Sequence, residues 1–191
     1  TLDLTVGAET YGSKDLYVGY AGRVFLVDNK TLQPLEFAAQ RLVERALHPV
    51  EETDAVSLAL TWPDGTERTW THEERASSSD APNARPTQVW ASTEAPDEAD
   101  DAAATWINKL LRMRLRSYLD DEEEAELVLE KVFAVTLTGP ERAWRIEVFE
   151  SEDEDGEPQW YARSDFNRGG VVQLTASLAR EVADDLGNLR P

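Results

Sequence analysis

The sequence predicts an α+β fold. It reads as internally repeated strand-strand-strand-helix units, with antiparallel sheets and helices packed on one face. Three observations predict it. Apolar and polar residues alternate in short runs separated by glycine-containing turns, as half-buried antiparallel strands require. Longer segments with apolar residues at helical spacing close each group of strands. Strands also come in runs rather than singly between helices, which argues against a parallel sheet.

Leu2, Leu4 and Val6 alternate with polar residues and open the first unit. Gly12-Ser13 marks a turn. Leu16–Tyr20 and Arg23–Val27 follow as strands, joined by the short Ala21-Gly22 turn. Asp28 or Asn29 is placed to cap a helix. Leu32, Leu35, Ala39, Leu42, Val43 and Ala46 recur at helical spacing, Pro34 sits early, and Pro49 ends the run. In the second unit Val56, Leu58 and Leu60 alternate. Pro63-Asp64-Gly65 turns the chain, and Thr66–His72 returns as the partner strand. Glu73–Pro86 is polar and reads as a mobile loop, and Val89-Trp90 as a short strand. Acids from Asp97 to Asp101 suit a helix start. Ala103, Trp106, Ile107, Leu110, Leu111 and Leu115 then form one apolar face.

An acidic link, Asp120–Glu126, leads into the third unit. Val132–Thr138 and Ala143–Phe149 are strands around a Gly139-Pro140 turn. Glu150–Glu157 reads as an acidic loop. Trp160–Arg163 and Val171–Leu174 are strands around Asn167–Gly170. Thr175–Leu186 closes the chain as a helix with Leu178, Val182 and Leu186 on one face. The Leu16–Val18, Val24–Leu26, helix order parallels the Trp160–Ala162, Val171–Gln173, helix order, which predicts an internal duplication. The expected division is a first lobe over 1–119 and a second over 120–191.

Composition excludes several functions. Asp and Glu number 38 against 19 Lys and Arg, a formal net charge of -19. Such a surface repels nucleic-acid phosphates and anionic lipid headgroups, so no nucleic-acid partner is expected. Arg112, Arg114 and Arg116 form the dense basic stretch, and pairing with the acids at 120–124 is the expected use. The absence of cysteine excludes disulfides, thiolate metal sites and cysteine nucleophiles. No apolar run reaches the length of a bilayer span. The chain starts at Thr1 and goes directly into a strand pattern, which reads as a fragment of a longer protein.

No constellation of residues points to a catalytic site, and no cofactor is expected. His48 and His72 are the histidines; capping or exposed roles outweigh a zinc site, which needs more ligands. Glu152, Asp153, Asp155 and Glu157 are weak candidates for divalent-cation binding, because hard cations need convergent oxygens. The EF-hand spacing is absent, so a solvated hairpin loop is the stronger reading. Ser77, Ser78 and Ser79 lack a nucleophile-elbow context. Gly169-Gly170 beside Arg168 reads as a turn, not a phosphate loop. Of Trp62, Trp70, Trp90, Trp106, Trp144 and Trp160, most are expected in the core. Trp62 and Trp70, across one hairpin, are the possible exposed binding aromatics.

Several pieces resemble one family, almost end to end. They are Leu4-Thr5-Val6-Gly7, the Tyr17–Asp28 hairpin YVGYAGRVFLVD, the helix LQPLEFAAQRLVERAL and the strand AVSLALTW. Trp90 with the helix AAATWINKLLRMRLRSYL also fits, as does the closing QWYARSDFNRGGVVQLTASLAREVADDL. In these pieces and their order the chain resembles a bacterial domain-of-unknown-function family, number 4340. Its members are often encoded beside ABC-transporter components of the gliding-motility type. The resemblance implies a membrane anchor in the parent chain, a domain in the cell envelope outside the cytoplasm on the periplasmic side, and protein partners in a membrane complex. It implies no chemistry. The expected function is therefore a non-catalytic binding or scaffold domain. The alternatives are an acidic-residue hydrolase acting on glycans, which needs two carboxyls across a cleft, and a soluble salt-adapted protein.

Overall fold

The computed structural model describes residues 3–12, 14–36, 44–76, 86–153, 155–167 and 170–190. The fold is α+β with antiparallel sheets, and the chain divides into two compact units, Thr1–Glu44 and Arg45–Pro191.

The first unit is a three-stranded antiparallel sheet of β1 (Thr5–Glu9), β2 (Asp15–Tyr20) and β3 (Arg23–Asp28), followed by α1 (Asn29–Glu36). The hairpin turn places Ala21 at φ 48° and Gly22 at φ 74°. Two successive positive φ angles match the twist of the flanking strands. Asp28 Oδ1 accepts the amide of Lys30 at 2.9 Å and so caps α1. Leu16, Val18 and Leu32 are buried together, with Val27 against them.

The second unit is built on an eight-stranded antiparallel sheet. Its strands are β4 (Ser57–Thr61), β5 (Glu67–Arg75), β6 (Thr87–Ser92), β7 (Leu115–Tyr118), β8 (Glu130–Thr138), β9 (Ala143–Glu152), β10 (Pro158–Ser164) and β11 (Val171–Leu174), in the order β6-β5-β4-β8-β9-β10-β11-β7. The alternation expected for 56–60 places Leu58 and Leu60 inward, each fully buried. Strand register puts Leu58 opposite Trp70 and Leu137, and Leu60 opposite Val135. This face carries the core, each such side chain contributing about 1.5–3 kcal/mol by burial.

Two helices cover that face: α2 (Asp101–Leu111) and α4 (Ala176–Asp184). Trp106 of α2 meets Phe133 of β8 edge-on at 5.7 Å and donates its indole N–H to Val182 O of α4 at 2.8 Å. A third, short helix, α3 (Asp121–Glu126), stands with its flanks over the opposite face, where Leu119, Leu127 and Leu129 pack on Phe149, Tyr161 and Val171. Helices are thus not confined to one side.

Several expectations need correction. The boundary at 119/120 falls inside the eight-stranded sheet, because β4 pairs β8 and β7 pairs β11 across it. The chain instead divides into its compact units between Glu44 and Arg45. Leu115 belongs to β7, not to the helix, since α2 ends at Leu111. The acidic link 120–126 is helical: Asp120 accepts the amides of Glu122 and Glu123, and Glu123 returns a bond to the Asp120 amide. The acidic loop 150–157 shrinks, because β9 runs to Glu152 and β10 starts at Pro158. Ala46 forms an isolated bridge to Arg114 rather than a helical turn.

The expected duplication is not confirmed beyond a hairpin followed by a helix at both places. One pair lies in a three-stranded sheet, the other inside the eight-stranded one. Residues 77–85 of the expected loop 73–86 and 37–43 of the expected helix 32–46 lie outside the described residues, while Glu73–Arg75 continue β5 rather than a loop.

The segment 45–50 is tied down across the second unit. Leu115 N donates to Arg45 O at 3.0 Å, and Ser164 Oγ donates to Leu47 O. Leu47 is fully buried.

Candidate functional site

The possible exposed aromatics are core residues. Trp62 is 3% exposed and Trp70 is 0% exposed. Trp70 fills the sheet–helix interface, and its indole N–H donates to Asp100 Oδ2 at 2.9 Å. The hairpin alternation that would have stacked both rings outward instead points them to the covered face. Trp90, Trp106 and Trp160 are buried as well. Trp144 is half-buried, with the Arg142 guanidinium 3.4 Å above its ring.

The weak cation candidates do not converge. Asp153 Oδ1 accepts the amides of Asp155 and Glu157 at 3.0 and 2.8 Å, and Oδ2 accepts Gln159 Nε2 at 3.0 Å. These bonds, the Glu157 amide foremost, hold its carboxyl below the usual carboxylate range. Its oxygens are thus spent on closing a turn. Among the described residues no group of three or more His, Asp or Glu is placed to hold a metal. The serines 77–79, Arg168 and Gly169 lie outside the described residues.

The basic stretch also departs from expectation. Among the described residues neither Arg112 nor Arg114 forms an ion pair. Arg112 Nε donates to Asn108 O at 3.1 Å, and Arg114 Nη1 donates to Leu111 O and Met113 O at 2.9 and 2.8 Å. From the acidic run, Glu124 takes another partner, Arg163, at 3.0 Å, and also accepts the amide of Val171.

Three features stand out that the sequence reading did not find. The first is an apolar face on the first unit. Register places Tyr17 opposite Leu26, and Val24 opposite Gly19. These side chains point away from Leu16 and Val18 and remain 47%, 57% and 71% exposed at Tyr17, Leu26 and Val24. The signal was present: β2 and β3 carry apolar residues at both parities, so one set had to lie outside the small core.

The second is an acidic groove of about 550 Å³ in the second unit, lined by Val128, Glu130, Glu150, Ser151, Glu152, Gly156 and Pro158. Glu130 of β8 and Glu150 of β9 stand directly opposite in register. Like charges so placed repel, and no basic side chain pairs with either among the described residues.

The third is a cavity of about 320 Å³ between residues 46–52 and the last turn of α2. His48 lies in its wall, 5% exposed; the backbones of Leu111 and Val50 are its weak polar neighbours, and neither ring nitrogen makes a well-formed hydrogen bond. Asn108 Oδ1 is likewise buried without one. An orphaned buried polar group costs about 1–3 kcal/mol. Burial foremost, and then the Arg114 charge, press the His48 pKa below its usual value; the Leu111 and Val50 backbone and Glu51 oppose them. His72, by contrast, is satisfied: its Nδ1–H donates to Ala55 O at 3.0 Å and its ring stacks on Trp90.

Comparison with known proteins returns no matching family model, no matching curated protein and no matching solved structure. Among the described residues no helix is long and apolar enough to cross a membrane.

Proposed function

We propose that this chain is a non-catalytic binding domain that docks on a protein partner through the first unit. The observation that carries this reading is the apolar face of Tyr17, Val24 and Leu26. Apolar side chains gathered on one face of a small sheet mark interaction surfaces. Aromatic and branched side chains there supply contact area at low entropic cost. The parent chain is anchored in the membrane, with this domain on the periplasmic side, in a complex of the ABC-transport or gliding-motility type. That placement rests on the resemblance of the strand and helix segments to family 4340.

The arrangement of acids also favours a binding role over hydrolysis. Glu130 and Glu150 leave adjacent strands side by side, on the same face. Carboxyls that flank a glycosidic bond confront each other across a cleft instead.

The test is site-specific photocrosslinking in the native cells, with the photoreactive residue at Val24 or Leu26 of the full-length protein. The reading expects a discrete protein adduct in the membrane fraction from both positions, and none from Thr71 on the second unit. Adducts equally abundant from all three positions, or from none, would overturn it.

A further inference from the structure

We propose that the first unit pairs with a second copy of this chain, edge to edge through β3. The pairing uses the backbone of β3, which the docking reading leaves unassigned, and it stands whether or not that reading does. β3 is an end strand of its sheet, in the order β1-β2-β3. The Ala21-Gly22 turn, with both φ angles positive, fixes which of its amides face outward. A two-residue turn of this type is closed by a hydrogen-bonded pair, here Tyr20 and Arg23. Pairs of that kind alternate along the hairpin. The backbones of Phe25 and Val27 therefore bond to β2, while Val24 and Leu26 direct N–H and C=O away from it. Among the described residues no strand takes up those groups. Val24, Phe25 and Leu26 are all exposed. Edge strands are ordinarily blunted by a charge, a proline or a bulge. β1, the opposite edge, has a bulge between Val6 and Glu9. β3 pairs with β2 without a break, and its residues 24–27 include no charge and no proline.

The sequence of β3 is complementary to itself. In an antiparallel pair with its two-fold axis at Phe25, Val24 of one copy lies opposite Leu26 of the other, and their outward N–H and C=O groups bond. Val24 and Leu26 share the face of Tyr17, so the two copies join their apolar faces into one, on a sheet with three strands from each copy. On the other face the two Phe25 side chains meet at the axis. Arg23 lies opposite Val27, and Asp28 opposite Gly22, so no like charges are opposed. Moving the axis to Leu26 would set Val24 against Asp28, and moving it to Val24 would set Leu26 against the turn. Charge also favours this unit as the point of contact. A second copy of a chain this acidic is repelled over most of its surface. Residues 1–44 hold six acidic and four basic residues, a formal charge of -2 out of the chain's -19. A contact made by this near-neutral unit opposes little like charge.

The experiment follows sedimentation of the purified chain up to a concentration of about 1 mM, with L26P and L26K beside wild type. Leu26→Pro removes an outward N–H that β2 does not use, and proline is tolerated at such an edge position. Leu26→Lys keeps the backbone and charges the edge. The proposal expects wild type to pass from monomer to dimer over that range, and each variant to weaken the dimer about tenfold or more. The chain has no cysteine, so F25C introduces a single thiol. Facing residues of a non-hydrogen-bonded pair have Cα atoms about 4.5 Å apart, within disulfide reach. Under copper-catalysed air oxidation F25C is expected to give the linked dimer, and T5C, on β1, to stay monomeric. The proposal is overturned by a wild type that is monomeric at about 1 mM, by a dimer that L26P and L26K leave unchanged, or by T5C linking as fast as F25C. None of these outcomes decides the docking reading, which stands or falls on the adducts formed in native cells.

Discussion

The carboxylate of Asp100 holds two elements at once: Oδ2 accepts the indole N–H of the fully buried Trp70 at 2.9 Å, and Oδ1 accepts the amide of Ala103 at 2.9 Å. The first bond satisfies the one polar atom of a core tryptophan. The second caps α2. Arg68 adds a longer contact at 3.4 Å and reaches on to Leu189 O at 3.0 Å. Asp100 therefore joins β5 to α2, and Arg68 extends the joint to the C-terminal turn. Asp100→Ala removes the cap and orphans the indole, so it is expected to cost about 2–4 kcal/mol. Asp100→Asn keeps one acceptor oxygen, for the cap or for the indole but not for both, and costs less. Urea unfolding midpoints at constant m check the order; equal losses in the two variants would refute it.

A second joint links the helices. Trp106 donates to Val182 O at 2.8 Å inside the core. Trp106→Phe leaves that carbonyl without its side-chain donor and opens space beside Phe133. The expected loss is about 2–3 kcal/mol. Hydrogen exchange of the α4 amides is expected to quicken more than exchange in β4 or β8, since the lost bond is anchored in α4.

Much of this was legible from local pattern. The Leu58/Leu60 alternation, the Pro63-Asp64-Gly65 turn and the Asp97–Asp101 helix start are all present, with Gly65 at φ 84° and Asp100 as the cap. These features depend on neighbours a few residues away. The misreadings have another origin. Leu115 continues the helical spacing of Leu111, yet it is drawn into β7 by pairing with Leu174, which no local rule reports. Glu150 and Glu152 look like loop residues, but β10 supplies the hydrogen bonds that keep them in a strand. The helix at 120–126 did carry a local signal, an Asp followed three residues later by Glu, obscured by the acids around it. The cavity at His48 was illegible because Asn108 and Arg112 are sixty or so positions away, brought near only by the tying of 45–50 to β7.

His48 gives a pH dependence with a definite sign. Burial and Arg114 hold its pKa below the usual 6.5. The unfolded chain therefore takes up a proton first as pH falls, and the folded chain takes it up later. Stability is fully present above about pH 6.5 and declines as pH drops toward the depressed folded value. The comparison of wild type with His48→Gln, by urea unfolding at pH 7.5 and 5.5, isolates this group from the many carboxylates. Wild type is expected to lose more stability than the variant across that interval; parallel losses would refute it.

The Glu130–Glu150 pair predicts a salt effect. Replacing one member of an opposed like-charge pair relieves repulsion, so Glu150→Gln is expected to stabilise by about 0.2–1 kcal/mol at low salt. The gain is expected to vanish in molar NaCl, where the screening length falls to about 3 Å. A gain that persists in high salt would place its origin in packing against Trp160 rather than in charge.

The proposed placement is that of a partner-binding domain outside the cytoplasm on a membrane-anchored chain. The most direct measurement is fractionation of the native cells with an antibody to this chain, followed by protease treatment of intact spheroplasts. That placement predicts that the protein pellets with membranes and is cleaved from outside. A protein that stays in the soluble fraction and is protected until the cells are broken would contradict it.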